Sequence, residues 1–273
     1  MLFRSLLHDG SLDAALKAEA LSLPSESDVA EASVPFDPAR IHAVREQLRL
    51  FIATTLRDEL ELCYHRLSSA SGLDDNAMQQ RKLKNLCLSY LASLQDETSI
   101  AMLYRQFNAA ENMTDQHAAL ALLADCDCEE RILALQRFEQ QWKGEANVMD
   151  KWFAVQAASS LPATLEHVKS ICNHENFDLR NPNKVRALIG GFAMRNPLLF
   201  HAEDGSGYGF LSDQVLALDS LNPQVASRMV RALMNWKRIE PKRGAIMRAQ
   251  LQRIADSQAV SGDVYEIVSK SLG

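Results

Sequence analysis

Residues 41–67 read IHAVREQLRLFIATTLRDELELCYHRL, and their apolar side chains return every three or four positions. That spacing places the apolar side chains on one face of an α-helix, whereas a half-buried β-strand would alternate apolar and polar residues. The stretch therefore predicts consecutive amphipathic helices. The apolar stripe consists of Ile41, Val44, Leu48, Phe51, Ile52 and Leu56, followed by Leu60, Tyr64 and Leu67.

The sequence around this stretch has few of the residues that bound strands. No proline occurs between Pro38 and Pro162, and the only glycines in that interval are Gly72 and Gly144. The interval therefore lacks the turn residues typical of a sheet, and it is long enough to hold several helices. Two further helical stripes follow within it: Leu83, Leu86, Cys87, Tyr90, Leu91 and Leu94, and then Met102, Leu103, Phe107 and Ala110.

Short polar segments separate these stripes and look like connections between helices. Some of them offer side-chain oxygens that can cap the first turn of a helix, namely Asp96 before the third stripe and Thr114 with Asp115 after it. Helices of about 10–20 residues joined by such turns describe an α-solenoid or an irregular bundle.

The second half of the sequence contains one helix-start signal three times, at Asn181-Pro182, Asn196-Pro197 and Asn222-Pro223. Asparagine can cap the first turn, and proline fits the first helical position because its missing N–H has no helical partner there. The first and third starts lie 41 residues apart, within the period of helix-pair repeats. We therefore predict an all-α array of antiparallel helix pairs, armadillo- or HEAT-like, over residues 1–273. A loose division near residues 175–180 remains an alternative.

Composition limits the classes of partner. The chain has 29 Lys and Arg against 35 Asp and Glu, a net charge of −6, which argues against a nucleic-acid footprint. No apolar run is long enough to span a membrane, and residues 1–9 are too interrupted for a signal peptide. Five cysteines without a disulfide-framework spacing fit a reducing compartment. The prediction is a cytoplasmic protein that binds neither nucleic acid nor membrane.

The histidines and cysteines do not form a recognisable metal motif. His174-Glu175 begins an H-E-x-x-H pattern, but Asp178 stands where the second histidine would be. Cys126-Asp127-Cys128 could chelate a soft cation, but no further cysteine or histidine follows at a matched spacing. The alternative is a helix N-terminus that favours acidic side chains. We predict no metal site and no catalytic residue in this chain.

Residues 203–209, EDGSGYG, contain three glycines but lack the Lys-Ser/Thr that completes a phosphate loop. They favour a tight connection in which glycine supplies positive φ. Basic residues cluster late in the chain, which predicts a solvated helix face or a surface against acidic groups, with a nucleic-acid groove as the lesser alternative. They are Arg228, Arg231, Lys237, Arg238, Lys242, Arg243, Arg248 and Arg253.

Two arginines occupy matching positions after the Asn-Pro signals. Arg186 lies four residues after Pro182, and Arg228 lies five residues after Pro223. If the two helices are equivalent members of successive repeats, both guanidinium groups project from similar surfaces. On periodicity alone, two ordinary solvated arginines remain the alternative.

The stretches FHAEDGSGY at 200–208 and NPQVASR at 222–228 are specific sequences. They resemble the C-terminal helical domain of the bacterial aminopeptidase N family, the M1 zinc metallopeptidases. NPNKVRALIG at 181–190, Asn196-Pro197 and SGDVYE at 261–266 agree with them, as do LPSE at 23–26 and IHAVRE at 41–46. The resemblance covers essentially the whole chain, and it identifies the chain as that domain without the rest of its enzyme.

The resemblance implies a superhelical array that closes over a catalytic domain and leaves an internal chamber for peptides. In the family, zinc is bound by an H-E-x-x-H motif with a later glutamate in the catalytic domain, where a G-x-M-E-N motif recognises the peptide N-terminus. Neither motif occurs here, so no catalytic or zinc-binding residue is carried over, and we expect no aminopeptidase activity from this chain alone. Arg186 and Arg228 match positions that face the chamber, which implies that they bind substrate in the full enzyme.

Three hypotheses about function follow. The chain is an accessory domain of a zinc aminopeptidase, with the catalytic domain as its partner and peptides as substrates. Alternatively, it is an independent helical-repeat scaffold with a protein partner of its own. The third hypothesis is an enzyme with an unrecognised site built from His201, Glu203 and Asp204.

Overall fold

The structure is a computed structural model that describes residues 2–68, 72 and 74–273. Within these ranges the chain forms 17 α-helices and one 3-10 helix and contains no strand beyond a single bridge between Phe36 and Ile239. None of the helices in these ranges is long and apolar enough to cross a membrane. The helices are α1 (Leu2–His8), α2 (Ala14–Leu21), α3 (Glu26–Glu31), α4 (Pro38–Thr55), α5 (Arg57–Leu67), α6 (Asp75–Ala92), α7 (Glu97–Ala109), α8 (Met113–Leu123), α9 (Glu129–Trp142), α10 (Ala146–Ala157), α11 (Thr164–Ile171), α12 (Pro182–Arg195), α13 (Pro197–Phe200), α14 (Ser206–Asp219), α15 (Pro223–Val230), the 3-10 helix (Arg231–Lys237), α16 (Pro241–Ala255) and α17 (Gly262–Leu272).

The chain divides into two compact units. The first unit consists of Met1–Ser25 and Ala43–Arg137, and the second of Glu26–His42 and Phe138–Gly273. Helices α4 and α9 each contribute residues to both units. Residues 175–180, where the sequence left a loose division open, lie inside the second unit.

In the first unit, helices that are consecutive in the chain pack against each other, α5 on α6 and α7 on α8, while α6 also contacts α2 and α8. The apolar stripes predicted on α6 and α7 supply the buried side chains Leu83, Cys87, Leu91, Leu103 and Phe107. The all-α prediction with paired helices is therefore confirmed.

One expectation about this unit needs correction, and one predicted stripe is only partly buried. The stripe of residues 41–67 is helical, but Val44, Leu48 and Phe51 on α4 are 58%, 43% and 66% exposed. The cap of α8 is Asn112, whose Oδ1 accepts from the backbone N–H of Asp115, and not Thr114 or Asp115 as predicted. Asp115 lies inside the first turn of α8 rather than before it, and its carboxylate pairs with the buried Lys84.

The second unit is built around the three Asn-Pro signals. Helices α12, α13 and α15 begin at Pro182, Pro197 and Pro223, which confirms the predicted starts. Each preceding asparagine accepts a backbone hydrogen bond from the first turn. Helix α10 packs on α12, and α14 packs on α15 and α16. Among the side chains with no exposed surface in this unit are Phe153, Phe192, Phe200 and Tyr208.

Candidate functional site

A cavity of about 670 Å³ lies in the second unit, bounded by α3, the start of α4, α12, α15 and the 3-10 helix. Arginines dominate its polar lining, and two acidic residues, Glu26 and Glu31, also face it. We call this the arginine cavity. The five arginines that line it are Arg186, Arg195, Arg228, Arg231 and Arg238.

The Asn-Pro starts and the apolar faces of α12 and α15 place the two predicted arginines at this cavity. On α12, Val185, Leu188 and Ile189 are completely buried, so Arg186 lies on the exposed side of the helix. On α15, Ala226 and Met229 are buried beside an exposed Arg228. The two helices contact each other. The structure therefore brings Arg186 and Arg228 to one cavity.

Most of the positive charge in the arginine cavity is not neutralised. Within the described residues, the side chains of Arg195, Arg228 and Arg231 have neither a hydrogen bond nor an ion pair. The Arg186 guanidinium donates to the neutral side chain of Asn183, and Arg238 donates to the backbone carbonyl of Glu31 at 2.8 Å.

Among the described residues that line the arginine cavity, Glu26 and Glu31 carry carboxylates. The Glu26 carboxylate already has a partner. Glu26 Oε1 lies 2.8 Å from Nδ1 of His42. Five cations therefore face two anions, and the cavity suits a ligand that carries carbonyl oxygens or a carboxylate.

Sequence reasoning missed three of these arginines as cavity residues. Sequence spacing places Arg231 and Arg238 only in the late basic cluster, and it predicts no role for Arg195. A signal did exist for Arg231, because residues three positions apart lie on the same side of a helix, and Arg231 follows Arg228 by three. Arg195 and Arg238 reach the cavity through the packing of separate elements, which spacing along the chain does not reveal.

The rest of the basic cluster holds the second unit together. Arg243 is buried, donates to the carbonyl of His201 at 2.7 Å and pairs with Glu240 at 3.2 Å. The guanidinium of Arg248 lies over the Trp236 ring. These contacts agree with the predicted surface against acidic groups rather than with a nucleic-acid groove.

His201, Glu203 and Asp204 do not assemble into a catalytic group. The Nδ1 atom of His201 lies 2.8 Å from the hydroxyl of Tyr208, and burial, aided by the Arg243 charge, lowers the histidine pKa to about 4. Glu203 faces Arg243 at 3.6 Å, and Asp204 accepts from the backbone N–H of Ser206 at 2.9 Å. Each side chain is directed to a different local partner, so the geometry does not support the hidden-enzyme hypothesis.

The glycine-rich segment is the tight connection that its composition predicted. Gly205 has φ of +72° directly before α14, a backbone conformation that glycine adopts without strain. Gly207 lies against the backbone of Phe200. The segment therefore joins α13 to α14 and brings His201 to the wall of the arginine cavity.

The described residues do not fit a metal centre. No group of three or more His, Cys, Asp or Glu side chains in the described part of the chain could hold a metal ion. Glu129 and Glu130 occupy the first turn of α9, as expected for a helix N-terminus. Burial raises the pKa of the Cys126 thiol to about 12 and also raises that of Cys128, which makes both poorer metal-binding thiolates.

The family model described as "Domain of unknown function (DUF3458_C) ARM repeats" matches residues 1–273. The chain belongs to this family. ARM repeats are arrays of packed helices, in agreement with the helix pairs of both units. The family description names no activity.

Relatives connect this ARM-repeat domain with larger enzymes. The chain is 41% identical to aminopeptidase N of Escherichia coli strain K12 over 273 residues, and 39% identical to aminopeptidase N of Caulobacter vibrioides. These alignments cover 99% and 100% of this chain but only 31% and 32% of the relatives. The chain thus spans about a third of their length and corresponds to a C-terminal part of aminopeptidase N, which confirms the resemblance drawn from the sequence.

A solved structure also relates this chain to a larger aminopeptidase. The crystal structure of Legionella pneumophila aminopeptidase A in complex with aspartic acid matches with a TM-score of 0.91 and 31% identity. The match covers 99% of this chain and 33% of the Legionella chain. The fold of this ARM-repeat domain therefore occurs as one part of a larger aminopeptidase.

Proposed function

We propose that the chain acts as the non-catalytic helical domain of a zinc aminopeptidase. There it caps the catalytic domain and shapes the chamber through which peptides enter for removal of their N-terminal amino acids. The observation that carries this proposal is the arginine cavity in a domain that aligns with one third of aminopeptidase N. The charge balance and the cysteine content favour a cytoplasmic enzyme.

Within this proposal, Arg186 and Arg228 bind the peptide. Each guanidinium presents a planar set of N–H donors that matches carbonyl and carboxylate oxygens. Arg228 has no competing partner among the described residues, and Arg186 donates only to a neutral amide. Both groups can therefore bind a peptide without first breaking an ion pair.

Zinc belongs to the catalytic domain in this proposal, since the described residues of this chain do not form a metal site. When bound there, zinc activates the water that attacks the peptide bond. The residues of this chain bind and orient the peptide and transfer no proton. Substitutions in the arginine cavity should therefore change substrate binding more than the rate of bond cleavage.

In the full-length enzyme, we expect Arg186→Ala and Arg228→Ala each to raise KM for peptides by about tenfold, because a hydrogen bond to a charged group is lost. The kcat for a small aminoacyl-anilide should be nearly unchanged, because that substrate is too short to reach the cavity. Steady-state kinetics on both substrates measure the two effects.

Arg180→Ala is the matched control. Arg180 is an exposed arginine that pairs with Asp178 and does not line the arginine cavity, so its removal should change neither substrate. Equal losses on the peptide and the anilide would show that Arg186 or Arg228 has a structural role. Unchanged KM for peptides in both variants would refute the proposed peptide contact.

The proposed partner is the catalytic domain of the same enzyme, and the first unit offers a surface for it. Val44, Leu48 and Phe51 recur at i, i+4 and i+7 and form one exposed apolar face of α4. Such a contiguous apolar face is unfavourable in water and is typical of an interface. The relatives are about three times as long as this chain. The other two thirds of such an enzyme would contain the domain that covers this face.

We therefore expect Phe51 to be protected in the full-length enzyme. Hydroxyl-radical footprinting should oxidise Phe51 readily in the isolated chain and several-fold more slowly in the full-length enzyme. Tyr265, an exposed aromatic residue on α17, serves as the reference residue and should react equally in both. Equal oxidation of Phe51 in the two forms would exclude α4 as the interface.

A further inference from the structure

A cavity of about 610 Å³ lies within the first unit, where α5, α6, α7 and α8 pack together. On α7, its lining residues Met102, Arg105, Gln106 and Ala109 are three or four positions apart and therefore share one face of the helix. The volume is in the range of small-molecule binding sites. We call it the first-unit cavity.

Arg81 on α6 places a buried positive charge at the wall of the first-unit cavity. This residue is only 4% exposed, and its Nη1 atom donates to the backbone carbonyl of Gly72 at 2.7 Å. Among the described residues, no carboxylate forms an ion pair with Arg81. Residues 69–71 and 73 are Ser-Ala-Ser and Leu, so they supply no acidic side chain. Because a buried charge is costly unless it is paired, Arg81 favours an anion in the cavity.

The buried carboxylate that lines the same cavity is already engaged. Asp115 Oδ2 accepts from Lys84 at 2.7 Å and from Asn112 at 3.1 Å, and its Oδ1 accepts from Asn85 at 2.9 Å. The Lys84–Asp115 pair is neutral as a whole. It therefore leaves the charge of Arg81 without compensation.

The exposed part of the lining adds one cation and one anion. Arg105 on α7 and Glu111 after it are exposed, and neither side chain has a hydrogen bond or an ion pair among the described residues. Apart from His65, the lining thus carries three cationic side chains and two carboxylates. The excess positive charge attracts an anionic ligand.

The rest of the lining is largely apolar. Met102 and Tyr64 are 5% and 7% exposed, and Ala109 and Ala110 lie beside them at the end of α7. These side chains can cover an apolar group but offer few hydrogen bonds. Inorganic anions, which have no apolar part, would leave this surface in contact with water.

We propose that the first-unit cavity binds a small organic carboxylate with a short apolar body. The carboxylate pairs with Arg81, whose planar guanidinium matches its two oxygens, and the apolar body packs on Met102. All the lining residues belong to the first unit. The proposal therefore uses no residue of the arginine cavity and does not depend on the aminopeptidase role.

The experiment titrates phenylacetate into the chain, with its methionine methyl groups isotope-labelled for nuclear magnetic resonance. The methyl signal of Met102, assigned with Met102→Leu, should shift until the site is saturated. Met247 is completely buried in the second unit and its signal should stay unchanged. Phenylacetamide has the same shape without the charge, and it should bind about tenfold more weakly or less.

Three variants test the residues. Arg81→Met removes the buried charge and should weaken phenylacetate binding about tenfold or more. Arg105→Ala changes an exposed side chain, so the unit should stay folded, and the affinity should fall several-fold. Arg4→Ala is the matched control, because Arg4 is an exposed arginine of the first unit that pairs with Glu59 and does not line the cavity. Its affinity should equal that of the wild type.

Two results on the wild type would overturn the proposal. The first is a Met102 signal that does not move at about 10 mM phenylacetate, a concentration that would fill most of a millimolar site. The second is equal affinity for phenylacetate and phenylacetamide. Neither result depends on how well a variant folds. A folded Arg81→Met variant that binds phenylacetate as tightly as the wild type would also refute the proposed contact.

Discussion

Lys84→Ala should destabilise the first unit by about 3–5 kcal/mol, because it leaves a buried carboxylate without its counter-ion. The Nζ atom of Lys84 lies 2.7 Å from Oδ2 of Asp115, and the two side chains are only 6% and 7% exposed. Asp115 keeps hydrogen bonds from Asn85 at 2.9 Å and Asn112 at 3.1 Å, which do not replace a positive charge. Urea unfolding followed by circular dichroism gives the change in unfolding free energy.

Lys82→Ala on the same helix is the matched control. Lys82 pairs with Glu19 at 2.8 Å, but these side chains are 53% and 74% exposed. An exposed pair contributes about 0–1 kcal/mol, since water solvates both charges in its absence. Similar losses in the two variants would show that burial does not set the strength of the Lys84–Asp115 pair. Replacing both members of the buried pair by Met and Leu should recover much of the stability.

Gly207→Ala should destabilise the second unit by about 3 kcal/mol, because the added methyl group would overlap a backbone that cannot move aside. A Cβ atom at Gly207 would lie 2.8 Å from the Cα of Phe200 and 2.9 Å from its carbonyl carbon. Phe200 is completely buried and precedes His201 at the wall of the arginine cavity. Thermal unfolding of the variant measures the loss.

Gly209→Ala separates this clash from the general effect of glycine in a helix. Gly209 lies on α14 like Gly207, but a Cβ atom there would meet nothing within 4 Å. Alanine favours a helix over glycine by about 1 kcal/mol, so Gly209→Ala should be neutral or slightly stabilising. If Gly207→Ala is equally well tolerated, α13 and α14 approach each other less closely than the structure indicates.

The arginine cavity shows how far a repeated helix start predicts a site. The Asn-Pro signals specify where α12 and α15 begin, and helical spacing then specifies which side of each helix carries Arg186 or Arg228. That the two arginines reach one cavity depends on the packing of α12 against α15, and Arg238 joins them from beyond the 3-10 helix. Residue spacing describes the faces of one helix at a time, so it could not predict that these arginines line one cavity.

Local signals in the sequence determined the helices themselves. Apolar periodicity, the absence of proline from residues 39–161 and the three Asn-Pro pairs act within a few residues, because hydrogen bonds between neighbouring turns and the first-turn caps are local interactions. The resemblance in residues 200–208 and 222–228 indicated the family for the same reason, since it depends on the order of residues alone.

Only the tertiary structure decided which of these faces are covered. Val44, Leu48 and Phe51 have the spacing of a buried stripe yet remain exposed, whereas Lys84 and Asp115 are polar yet buried as a pair. Lys84 and Asp115 are 31 residues apart in sequence and meet because α6 packs on α8. Helical periodicity specifies the direction in which a side chain points from its own axis, but burial and pairing depend on which distant helix lies in that direction.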